Sequence, residues 1–128
     1  MTVGTDRSNT GGGQDRPNVT GQDPNDGPQT IQRWFNTDAY VVNALGTWGN
    51  AGRNTVIGPG IFNVDMSIIR NFRVMNTRTV QFRLETFNTL NRPIWNDPTT
   101  VMSSPNWGTI TSTRKPMLEV QLGVKFVF

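Results

Sequence analysis

The stretch Leu118-Glu119-Val120-Gln121-Leu122-Gly123-Val124-Lys125-Phe126-Val127-Phe128 decides the fold. Leu118, Val120, Leu122, Val124, Phe126 and Phe128 fall on one parity. Glu119, Gln121, Gly123 and Lys125 fall on the other, with Val127 as the lapse. Period two sends successive side chains to opposite faces of a strand. A helix would spread the same apolar residues round its circumference, so the segment is a two-sided strand.

The same alternation recurs upstream. In Asn63 to Phe72, Val64, Met66, Ile68, Arg70 and Phe72 alternate with Asn63, Asp65, Ser67, Ile69 and Asn71. In Thr79 to Phe87, Val80, Phe82 and Leu84 alternate with Thr79, Gln81, Arg83 and Glu85. Met75-Asn76-Thr77 has turn character between them, so the two runs make an antiparallel hairpin. Trp107 to Thr113 is expected to be a further short strand, followed by a turn at Arg114-Lys115-Pro116. The fold class is all-β, an antiparallel meander of three to four strands with a disordered or loop-like N-terminal segment.

Residues 1–30 are nearly all Gly, Asn, Asp, Gln, Thr, Ser and Pro. They carry too little apolar surface to offset ordering entropy, so a flexible polar tail or surface loop is expected there. Residues 31–128 form the expected β segment. Within it, Trp34 to Tyr40 suits either a short helix capped by Thr37 or Asp38 or an irregular packed loop. Gly46 to Gly60 carries loop chemistry.

Composition narrows the chemistry. The 128 residues include no Cys and no His, with 34% hydrophobic and 16% charged residues. Disulfides, thiolate chemistry and His-dependent triads are excluded, so no enzyme, cofactor or metal is expected. The net charge is +3 and the arginines are dispersed, which gives no nucleic-acid footprint. No secretory signal opens the sequence, and no apolar run is long enough for a membrane helix. A membrane β-strand escapes that test, because it alternates and needs only about ten residues.

Two environments suit such strands. In a soluble sheet the apolar face is the core. In an outer-membrane barrel it meets lipid and the polar face meets the lumen. Phe62, Phe72, Trp107, Phe126 and Phe128 lie near strand ends, as in an aromatic girdle, although ordinary β-propensity also favours them. The apolar final strand, running to Phe128, favours the membrane setting, because an open apolar edge in water invites aggregation.

Several stretches together resemble the late part of TonB-dependent outer-membrane receptors. The closest kind is the Oar-like type that begins with a carboxypeptidase-regulatory-like domain. The stretches are Asp15 to Gly21, Trp34 to Tyr40, Gly49 to Asn54, Gly58 to Phe72, Gln81 to Pro93, Ser104 to Ser112 and Gln121 to Phe128. The resemblance covers Asp15 to Phe128. It implies a C-terminal barrel fragment, since nothing here resembles the plug or the TonB-engaging box. It further implies that Gln121, Gly123, Phe126 and Phe128 form the signal bound by the barrel-assembly machinery.

The resemblance also implies a bacterial outer-membrane location within a longer receptor, as non-catalytic wall for nutrient uptake. Its partners would be that machinery and the remainder of the barrel, or copies of the same chain. The alternatives are a self-assembling structural β protein that adds strands into oligomers or fibres, and a small soluble, extracellular ligand-binding module. Asp65, Arg83, Glu85, Glu119 and Lys125 share one parity and are candidate lumen-facing charges, or simply cross-strand pairs on a wet surface. A glycosidase-like pair from Asp65 and Glu85 would have the same appearance. Trp34, Phe35 and Tyr40 are candidate aromatic loop contacts, or packing at the sheet's rim. Asp23, Asn25 and Asp26 lack the spacing of a calcium loop. Gly49 to Gly60 lacks the Lys-Ser/Thr ending of a phosphate loop.

Overall fold

The computed structural model describes residues 1–75 and 77–128, which divide into two compact units. The first comprises Met1–Pro59 and Asn96–Ser112, and the second Gly60–Trp95 and Thr113–Phe128. The division falls near residue 60, and residues 96–112 join the first unit although they lie far along the chain.

The first unit is mostly loops. Its strands are β1 (Asn18–Val19) and β2 (Tyr40–Val41), paired antiparallel, and an isolated parallel bridge joins Thr2 to Val101. A single 3₁₀ turn spans Thr37–Ala39. Asn36 caps it, its side chain accepting the Asp38 N–H at 3.1 Å; the expected caps, Thr37 and Asp38, lie inside the turn instead. Phe35, Ala39, Tyr40 and Ala51 form the buried core, with Trp34 and Trp107 packed against it. The Phe35 and Trp107 rings meet edge to face at 5.2 Å and 87°, the geometry preferred by aromatic quadrupoles.

Residues 1–30 are loop-like, and polar groups hold them. The Asp15 carboxylate accepts the N–H groups of Arg7 and Ser8 at 2.7 and 2.6 Å. Asp6 accepts the Gly11 N–H at 2.7 Å, which holds its carboxyl below the ordinary range. The Val19 N–H donates to Asn50 Oδ1, and the Asn50 N–H donates to Asn18 Oδ1. Residues 96–112 are tied to this unit through Thr2 N–H to Thr100 O, Trp34 N–H to Gly108 O and Ile110 N–H to Ile31 O. The expected strand at Trp107 to Thr113 does not form. The chain turns there, and the Trp107 ring is taken up by the aromatic core.

The second unit is the sheet. β3 (Met66–Met75), β4 (Arg78–Phe87) and β5 (Glu119–Val127) pair antiparallel in the order β3-β4-β5. The expected turn at Met75-Asn76-Thr77 includes Asn76, which lies outside the described residues. β3 begins at Met66; ahead of it Asn63 donates its side-chain amide to Asp65, and Asp65 accepts the N–H of Asn88, the residue after β4. Ten residues at about 3.4 Å, tilted by about 40°, span about 25 Å, the height of an outer-membrane apolar band.

Two substitutions test the first unit. Phe35→Ala should destabilise it by about 3–5 kcal/mol through the cavity left behind. Gly27→Ala should also loosen it, since a Cβ there would lie 2.6–2.8 Å from the Phe35 and Asn36 backbone. Both should appear as faster proteolytic cleavage within residues 1–59. Unchanged cleavage in both would refute this account of the unit.

Candidate functional site

Strand register gives the sheet two unlike faces. On one, Ile68–Leu84–Leu122, Arg70–Phe82–Val124 and Phe72–Val80–Phe126 align in rows. On the other, the rows are Ser67–Glu85–Gln121, Ile69–Arg83–Gly123, Asn71–Gln81–Lys125 and Arg73–Thr79–Val127. The lapses anticipated from the alternation, Arg70 on the apolar face and Ile69 and Val127 on the polar one, keep those places.

The apolar face is bare. Leu122 is 83% exposed, Phe126 63% and Ile68 60%. Phe72 and Phe82 meet edge to face at 5.7 Å, and the Arg70 guanidinium lies 5.8 Å from the Phe72 ring centre, as in a cation–π contact. Exposed apolar patches of this extent mark surfaces that meet another apolar phase.

The polar face brings several of the candidate charges together. Arg83, Glu85, Glu119 and Lys125 share it by register. Arg83 Nη1 stands 3.6 Å from Glu85 Oε1, longer than a charge-assisted hydrogen bond. Gln81 Nε2 donates to Asn71 Oδ1 at 2.9 Å, a cross-strand bond of the ordinary kind. Asp65 stands apart from this group, ahead of β3. Among the described residues no cluster of three or more carboxylates forms a metal site.

Asp65 belongs to a junction where the ends of three strands meet. It accepts the Asn88 backbone N–H and the Asn63 side-chain amide, each at 2.9 Å. The Asn88 N–H chiefly, then Asn63 and the nearby Lys115 charge, hold the Asp65 carboxyl below its ordinary value, against some desolvation. Asn88, 4% exposed with φ +50°, donates its side-chain amide to Arg92 O at 2.8 Å and Pro116 O at 3.2 Å. Asn91 Oδ1 accepts the Leu118 N–H at 3.0 Å, just ahead of β5. Sequence reasoning did not single out Asn88. The detectable signal was its place in Phe87-Asn88-Thr89, where a strand ends on a residue type that tolerates left-handed backbone.

The remaining candidates fall elsewhere. Gln121 and Gly123 lie on the polar face of β5 and Phe126 on the apolar face, while Phe128 follows the strand and is 92% exposed. Of the aromatic candidates, Phe35 and Tyr40 are buried in the core of the first unit. Trp34 is half-buried, its indole N–H donating to Ile57 O at 2.8 Å.

The chain matches the family model of the outer membrane beta barrel domain over residues 1–121 and belongs to that family. No curated protein and no solved structure matches it. Membership identifies the two-faced sheet as barrel wall and places it in the outer membrane. The extracellular alternative receives no support.

The junction yields a pH-dependent expectation. Because the Asp65 carboxyl is held below 3.8, its ionised form contributes fully above that value and the contribution drains as pH falls below it. Exchange protection of the Asn88 amide, measured against an unstructured reference peptide, should fall on acidification below 3.8. Asp65→Asn should remove that dependence. Asn88→Ala should cost about 1–3 kcal/mol, since it removes the side-chain bonds to Arg92 and Pro116 from a buried position and leaves alanine at φ +50°. Identical profiles for Asp65→Asn and the unsubstituted protein would sink the assignment.

Proposed function

We propose that this chain is the C-terminal wall segment of a TonB-dependent outer-membrane receptor of the Oar-like type, non-catalytic and serving nutrient uptake. The observation that carries the reading is the bare apolar face of three paired strands opposite a polar one. The even-numbered face meets lipid, and the odd-numbered face meets the lumen with Arg83, Glu85, Glu119 and Lys125. Asp65 sits at the rim. Unpaired backbone cannot face hydrocarbon, so the outer edges of β3 and β5 need further strands, supplied by the remainder of the barrel.

β5 is the edge offered to the barrel-assembly machinery. Strand addition supplies main-chain hydrogen bonds, while Gln121, Gly123, Phe126 and Phe128 supply specificity. The short link between β3 and β4 corresponds to a periplasmic turn. The long connection from β4 to β5 corresponds to an extracellular loop. The open edges also favour a second reading, in which copies of the chain complete one another. Sedimentation in detergent separates the two: a discrete homo-oligomer supports the second, and a complex with further barrel strands supports the first.

The absence of native Cys makes labelling clean. In outer membranes carrying the complete gene product, cysteines at Leu122 and Val124 should react with lipophilic maleimides and resist aqueous ones. Cysteines at Gln121 and Lys125 should do the reverse. Leu122→Arg should cost about 2–4 kcal/mol near the bilayer midplane, whereas Gln121→Arg should be nearly neutral. Equal aqueous labelling on both faces would exclude the barrel wall. The receptor reading requires that deleting this gene and deleting the TonB gene abolish uptake of the same nutrient without additive effect. Uptake that survives loss of TonB excludes it.

A further inference from the structure

The polar face segregates its charges along the strands. Glu119 pairs with Phe87 ahead of the β3 rows and Glu85 lies opposite Ser67, while Arg83, Lys125 and Arg73 occupy the three rows that follow, from Ile69 to Arg73. Between Arg83 and Lys125 stands Gly123, the cross-strand partner of Arg83. With no side chain at that point, the face is hollowed. A depression of about 340 Å³ is lined by Gln81, Arg83, Gly123, Val124 and Lys125.

The hollow has the makings of an anion site. Its two cations flank a bare stretch of backbone, and an amide borders the same space. Glu85 is the carboxylate nearest to Arg83, at 3.6 Å, and it lies on the far side from Lys125. The guanidinium has five N–H donors, and Glu85 approaches it at Nη1 alone. Gln81 spends one N–H on Asn71 and keeps a second. Lys125 has no ion-pair partner among the described residues. A Cβ at residue 123 would make only ordinary contact, 3.8 Å from Arg83 Cβ. Packing therefore does not require the glycine, and its effect is to keep the hollow open.

We propose that this hollow is an oxyanion subsite of the aqueous face, taking one carboxylate or phosphate group between Arg83 and Lys125. It rests on the odd-numbered face being the wetted one. The group belongs either to a dissolved solute or to an acidic side chain inside the same barrel, and the chemistry of recognition is shared.

The test uses Gly123→Cys in outer membranes carrying the complete gene product, with anionic, cationic and neutral methanethiosulfonate reagents. The anionic reagent should outpace the cationic one. Arg83→Gln or Lys125→Gln should lower that ratio about tenfold, since each removes a unit charge that lines the hollow. For a dissolved ligand, inorganic phosphate or acetate should slow labelling saturably. For an internal carboxylate, the neutral reagent should react faster once either cation is removed, because the occupant is released. A charge-independent ratio at residue 123 overturns the subsite. If Cys at Leu122 reacts with aqueous reagents as fast as Cys at Gln121, the barrel-wall reading itself has failed. Labelling confined to Gln121 and Gly123 without anion preference overturns the subsite alone.

Discussion

Everything in the second unit depends on where its backbone hydrogen bonds go. Each central N–H and C=O of β4 finds a partner in β3 or β5, and this frees the side chains to make two uniform surfaces. In hydrocarbon an unpaired peptide group costs several kcal/mol, so the same pairing that organises the faces also demands neighbours at the outer edges. The bare Leu122 and Phe126 and the unsatisfied edges are two aspects of one constraint. A sheet with a single apolar face in water would have covered it. This one, belonging to a family of outer-membrane barrels, leaves it open.

The strands were legible because period-two alternation is a local signal that the environment does not alter. The parity of Arg83, Glu85 and Lys125 followed directly, and register then placed them in successive rows of one face. The first unit was much less legible. Its order comes from polar side chains satisfying backbone groups far along the chain, such as Asp15 on Arg7 and Ser8, or Asn50 on Val19. Counting apolar residues is blind to such bonds. Trp107 misled for a related reason: its β-propensity is genuine, but tertiary packing against Phe35 decided its conformation. Asn88 stayed hidden because its role depends on three segments that are distant in sequence.

The junction at Asp65 and Asn88 shows how polar residues do work that a core would do elsewhere. A wall exposed to lipid on one side and water on the other has no interior to lock its strand ends. The buried Asn88 amide and the exposed Asp65 carboxylate supply that fixation through directed bonds, with a geometric specificity that apolar contacts lack.

The discontinuity of the first unit carries a kinetic consequence. Its two pieces, residues 1–59 and 96–112, are joined by bonds such as Thr2 to Thr100 and Trp34 to Gly108, with the β3–β4 hairpin between them in sequence. Phe35 must wait for Trp107 until a loop of about seventy residues has closed. The hairpin is local and needs no such wait. Loop-closure entropy therefore predicts an order of events: hairpin first, aromatic core late.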